Sequence, residues 1–133
     1  MRKLGVIAGV LAWTLATAVP AHAVVAAAVP GSYVAGWATP VVVAQSGGDV
    51  TVVNDDVAPH NFVAQEDYLP PKVARKTEWC SAFPKKSCPL FWSETITIGE
   101  TTTVQGLETI APGQYAFFCS IHPGMTGTLV IPN

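Results

Sequence analysis

Beyond residue 23 this chain is built of short Val- and Thr-rich runs punctuated by Gly and Pro, with no long apolar pattern of helical period. β-branched residues in short runs between turn formers fit strands and leave an α-helical fold without a core face. Candidate strands are Val41–Ala44, Val50–Asn54, Asn61–Ala64, Glu94–Ile98, Thr101–Val104, Gln114–Cys119 and Thr126–Ile131. Turn signals separate most of them: Ser46-Gly47-Gly48-Asp49, Asp55 to Pro59, Gly99-Glu100 and Ala111-Pro112-Gly113. Many short strands at this spacing favour an all-β sandwich or small barrel over a parallel α/β sheet. Tyr115 and Phe117 alternate with Ala116 and Phe118, so one of the two sets faces the core. For Tyr33, Trp37, Trp79 and Trp92 core packing is the default expectation.

The N-terminal residues carry an address. Arg2 and Lys3 precede an apolar run from Leu4 to Val19 that ends in small residues with Ala21-His22-Ala23, the pattern of a signal peptide with an A-x-A cleavage site. An uncleaved anchor is the alternative, since apolar character continues to Val29, but Pro20, His22 and Pro30 interrupt it. The expectation is cleavage after Ala23 and an exported, periplasmic or extracellular protein with no membrane span. Removal of residues 1–23 leaves 110 of the 133, enough for one domain at 24–133, and takes the formal charge from −2 to −4. Such an acidic balance excludes nucleic acid as a partner.

One stretch breaks the strand rhythm. Residues 66–93 hold Pro70, Pro71, Pro84, Pro89, Cys80 and Cys88 without clean alternation, and read as an irregular surface insertion with at most a helical turn. Every basic residue beyond the leader lies inside it: Lys72, Arg75, Lys76, Lys85 and Lys86. An oxidising compartment pairs thiols, so an odd count of three cysteines demands an explanation. A Cys80–Cys88 disulfide would pin a Pro-rich loop that has little core of its own. Two free thiols, or a pairing of one of them with Cys119, are the alternatives.

Cys119 has a different setting. It ends a candidate strand and is followed by Ser120-Ile121-His122-Pro123-Gly124-Met125, so that one tight loop aims a thiolate, an imidazole and a thioether at one point. Thiolate with imidazole suits copper or zinc, and a thioether as a weak further ligand selects copper. A second imidazole comes by elimination. The chain has His22, His60 and His122, and His22 leaves with the leader. His60 sits in a loop between two candidate strands, where a sandwich exposes ligands at one end. The candidate metal ligands are therefore His60, Cys119, His122 and Met125, holding one copper per chain.

With these residues in place, the chain resembles the small blue copper proteins, the cupredoxins of the plastocyanin, pseudoazurin and amicyanin group. The matching stretches are Gly48-Asp49-Val50-Thr51-Val52 with Asn54 and Asp56, His60-Asn61, Pro112-Gly113-Gln114-Tyr115, and Phe118 to Met125 with Gly127 and Leu129-Val130-Ile131. The two-residue gap between His122 and Met125 is similar to that of amicyanin. The resemblance implies a single Greek-key β-sandwich with a trigonal site of Cys119, His60 and His122 and a long axial contact from Met125. It also implies that Asn61 ties the two ligand loops together. The function implied is one-electron transport between redox partner proteins by a monomer. The disulfide-bearing insertion departs from the family pattern, and no partner surface carries over across it.

Catalysis as an oxidase or nitrite reductase needs a second copper site with further histidines, and here Phe118 and Ser120 flank the cysteine and no histidine is spare. The chain is thus not expected to be an enzyme. Copper delivery is the alternative function, although carriers favour Met- and His-rich open sites and the methionines here are Met1 and Met125. Two surfaces are candidates for partner docking. One is the apolar loop of Ile121, Pro123 and Gly124 with Ala58 and Pro59. The other is the basic insertion, through Lys72, Arg75, Lys76, Lys85 and Lys86.

Overall fold

The computed structural model describes residues 24–84 and 87–133; the leader with its Ala21-His22-Ala23 cleavage motif, and Lys85 and Lys86, lie outside the described residues. Seven strands form two sheets. β1 (Val24–Ala28), β3 (Val50–Asn54) and β5 (Thr101–Thr103) make one sheet in the order β1-β3-β5. β2 (Val41–Val43), β4 (Val63–Ala64), β6 (Gly113–Phe118) and β7 (Thr126–Ile131) make the other in the order β2-β7-β6-β4. From β1 to β6 the chain changes sheet at every step, the Greek-key sandwich expected from the strand pattern. The pairs β1·β3 and β2·β7 are parallel and the rest antiparallel.

Alternation along each strand decides what enters the core. Val50, Val52 and Asn54 of β3 point inward, and Thr51 and Val53 are half-exposed. On β6 it is the Tyr115 and Phe117 set that faces the core, with Phe117 fully buried and Ala116 exposed. The Phe117 ring stacks on Phe62 at a centroid distance of 4.0 Å, and Trp37 meets both rings edge-on at 5.8 and 5.9 Å. Gly127 on β7 makes room for that stack. A Cβ there would collide with the Phe117 ring and come within 2.6 Å of the Pro40 carbonyl.

Two elements depart from the sequence reading. The apolar stretch after Ala23 is a strand, β1, with Ala26 and Ala28 completely buried against β3. Glu94–Ile98, by contrast, forms no ladder. Ile96 alone pairs, exchanging both backbone hydrogen bonds with His60, and Ile98 stays exposed. Thr-Ile-Thr-Ile alternates as a strand does, but no neighbouring backbone runs alongside it for more than that one bridge.

The insertion is more ordered than an irregular loop. It contains a helical turn, α2 (Pro71–Ala74), and a 3-10 turn at Glu78–Ala82, while a further short helix, α1 (Ser32–Ala35), lies outside it between β1 and β2. Cys80 and Cys88 are disulfide-bonded with their Cα atoms 5.4 Å apart, leaving Cys119 as the free, buried cysteine. Ala74 and the disulfide form a small second core with Leu69, Trp79 and Phe83. Trp79 stacks on Trp92, whose backbone exchanges hydrogen bonds with Gln105 and so fastens the insertion to the sandwich. Replacing both Cys80 and Cys88 by Ala should lower stability by about 2–3 kcal/mol, the chain-entropy value for so short a loop, and leave the absorption of the copper-loaded protein unchanged. Denaturant unfolding with visible spectra checks both, and titration of the unreduced, unfolded wild type should find one reactive thiol.

Candidate metal centre

The register of the β4·β6 pair builds the centre. Val63 lies opposite Phe118 and Ala64 opposite Phe117. Continuing that antiparallel ladder outward by two residues sets Asn61 opposite Ser120, and the chemistry follows the register: Asn61 Oδ1 accepts from the Ser120 N–H at 2.8 Å, and Asn61 Nδ2 lies 2.8 Å from Ser120 Oγ. Asn61 Nδ2 also reaches Thr95 Oγ1 at 3.3 Å. One buried amide thus joins the loop of His60 to the loop of Cys119 and to the segment that carries Ile96.

His60 and Cys119 are both fully buried, and His122 is half-buried. Nδ1 of His60 and Nδ1 of His122 each lie 3.8 Å from Cys119 Sγ, and the ligand atoms of the three residues all fall within 4.8 Å of one another. Metal bonds to imidazole and thiolate run about 2.0–2.3 Å, so a single ion between these atoms reaches all of them. Met125 is buried in the same apolar cluster as Cys119. Its backbone closes the loop: the Met125 N–H donates to the His122 carbonyl at 2.8 Å, and the Met125 carbonyl accepts from the Cys119 N–H at 3.0 Å and from Trp37 Nε1 at 3.1 Å. Thiolate, two imidazoles and a buried thioether form a donor set that fits copper.

Behind His60 stands a scaffold that sequence reading placed in a turn without assigning it a role. Asn54 Nδ2 donates to the carbonyls of Ala58 and Ile96, and its Oδ1 accepts from the Asp56 N–H. Asp56 is fully buried, and its carboxylate lies 3.0 Å from His60 Nε2. Burial works against ionisation of Asp56, but the hydrogen bonds from His60 and from the N–H groups of Gly31, Tyr33 and Val57 outweigh it and hold the carboxyl at about 2, below its ordinary 3.8. The only local signal was an acid four residues before a ligand histidine.

Tyr33 is no core residue. It is 49 % exposed, with its ring centroid 6.2 Å from that of His122. Trp37 is the core aromatic that packs 6.1 Å from the His60 ring. Pro59, Ile121, Pro123 and Gly124 are exposed at the sandwich end that carries His122, and Lys72, Arg75 and Lys76 are exposed on the insertion.

A family model described as copper binding proteins, plastocyanin/azurin family, matches residues 25–132. No curated protein sequence matches the chain significantly. Among solved structures, amicyanin from Paracoccus versutus is similar at TM-score 0.56 and 24% identity, over 85% of this chain and 84% of that one. A purple cupredoxin from Nitrosopumilus maritimus is similar at TM-score 0.55 and 20% identity, over 80% of this chain and 97% of that one.

Asn61→Ala removes the acceptor for the Ser120 N–H and the link between the ligand loops. The expected loss is about 1–3 kcal/mol, the cost of leaving such a donor without its partner, read by denaturant unfolding of the metal-free protein.

Proposed function

Because this chain belongs to the plastocyanin/azurin family of copper-binding proteins, we propose that it is a one-electron carrier working between redox partners outside the cytoplasm. The observation that carries the reading is the convergence of His60, Cys119 and His122 within 4.8 Å at one end of a sandwich, with Met125 buried beside them. His60, Cys119, His122 and Met125 would hold the copper, with Met125 offering the weak thioether ligand, and the ion when bound would supply a one-electron couple. The protein's part is rigidity. Each ligand is fixed by packing or by a backbone hydrogen bond, so the ligand cage need not rearrange when the charge at its centre changes. Burial of His60 and Cys119 counts against a role in handing copper to another protein, which calls for an open site.

Electrons would pass through His122, the half-buried ligand, where Tyr33, Ile121, Pro123 and Gly124 offer a largely apolar contact surface. The leader motif and the disulfide support export, and among the described residues no helix is long and apolar enough to cross a membrane. The basic insertion, whose five cations face one acid between residues 72 and 86, would steer an acidic partner.

The Cu(II) protein should be blue from charge transfer between the Cys119 thiolate and copper, and Cys119→Ser should abolish the colour, as visible and EPR spectra will tell. Met125→Leu should keep a coloured site with a shifted reduction potential, because an axial ligand tunes the site without building it. Stopped-flow rates with the physiological partner should fall as salt rises, the screening length being about 10 Å at 0.1 M, and should fall again in Lys72→Glu with Lys76→Glu. A rate indifferent to both changes would leave docking to the surface around His122.

A further inference from the structure

We propose that Asp56 is a positioning residue of the copper site: its carboxylate turns the His60 Nδ1 lone pair toward the metal, and its buried charge biases the site toward Cu(II). The inference rests on the copper reading above and extends it to a residue outside the ligand set.

The geometry leaves the carboxylate one side-chain partner. Oδ2 lies 3.0 Å from His60 Nε2 and accepts from the Tyr33 N–H at 3.1 Å; Oδ1 accepts from the Gly31 N–H at 3.1 Å and the Val57 N–H at 2.8 Å. A buried carboxylate whose two oxygens already accept three backbone N–H groups acts as an acceptor toward the ring as well, so Nε2 carries the imidazole proton and Nδ1 the free lone pair. Nδ1 is the atom that lies 3.8 Å from Cys119 Sγ. A histidine held in this way cannot rotate or change tautomer without breaking its one hydrogen bond to the buried carboxylate, and a carboxylate behind the ring strengthens the imidazole as a metal ligand.

The charge itself is not neutralised. A neutral His60 imidazole brings a hydrogen bond and no charge, and among the described residues no lysine or arginine pairs with the carboxylate, since Lys72, Arg75 and Lys76 are exposed on the insertion. A full negative charge next to a ligand, out of reach of water, stabilises the more highly charged oxidation state of the ion. Asp56 also joins the ligand loop to the segment before α1. Gly31 donates to it from the left-handed region, at φ 88°, where a side chain is disfavoured.

Asp56→Asn keeps the size and an acceptor oxygen but removes the charge. The variant should remain blue with a raised reduction potential. Ser32→Ala is the comparison, because Ser32 Oγ accepts from the Val29 N–H and braces the same segment without touching Asp56. It should lose stability at an unchanged potential. An unchanged potential in Asp56→Asn, or an equal rise in Ser32→Ala, would overturn the inference and leave Asp56 a structural clamp. Wild-type protein gives a readout that needs no variant to fold: 15N NMR of the Cu(I) form should show His60 protonated at Nε2, with that proton slow to exchange. An unprotonated or freely exchanging Nε2 overturns the proposal. A wild type that does not turn blue with Cu(II) overturns the copper reading itself, and this inference with it.

Discussion

The stack of Phe62 on Phe117 is the contact on which the metal centre depends. Phe62 stands two residues after His60 and Phe117 two residues before Cys119, and along a strand two residues is the repeat of one face. Packing the rings at a centroid distance of 4.0 Å therefore brings the two chain segments together with their ligands on the same side. Trp37 wedges against both rings and against His60, and its indole N–H holds the Met125 carbonyl. The apolar core and the ligand cage are one construction, and this explains why Gly127, remote in sequence from both phenylalanines, must lack a side chain.

Around that core runs a buried polar layer whose side-chain groups are fully paired among the described residues. Asn54, Asp56, His60 and Asn61 are all buried, and among the described residues no buried side-chain nitrogen or oxygen lacks a partner. Burying such groups is costly unless every donor and acceptor is met. The compensation is specificity: Asn54 reaches the Ile96 carbonyl, Asp56 the N–H groups of Gly31 and Tyr33, and Asn61 the Ser120 N–H, all distant in the chain, so the loops can close in one arrangement only. Flexible loops carrying the same ligands would satisfy the metal in several geometries.

The ligand motif was legible because its three members share one loop, and the strands at 50–54 and 126–131 because their patterns stand between clear turns. The second histidine followed from inventory, not from spacing. What escaped was everything set by distant contacts. β1 is hidden in a run of Ala and Val that continues the composition of the leader, and only pairing with β3 makes it a strand. Ile96 belongs to an alternating stretch that finds one bridge instead of a ladder. Tyr33 reaches His122 because Asp56, 23 residues further along, holds its backbone. No local pattern carries such information.

The two histidines are equivalent by chemistry and opposite by setting, and this asymmetry gives the site a direction. His60 is closed off on every side: Asp56 at Nε2, Trp37 against its ring, and both backbone polar groups paired with Ile96. His122 sits on a short loop followed by the exposed Pro123 and Gly124 and is half-buried beside Tyr33. Electron tunnelling favours the shortest path through bonded atoms, so a redox partner touching His122 would couple to the metal through one imidazole. A partner anywhere near His60 would have to couple through the core. Under the proposed function the buried histidine would hold the geometry and the half-buried one would pass the electron, a division of labour that follows from burying one end of a loop pair and leaving the other nearer the surface.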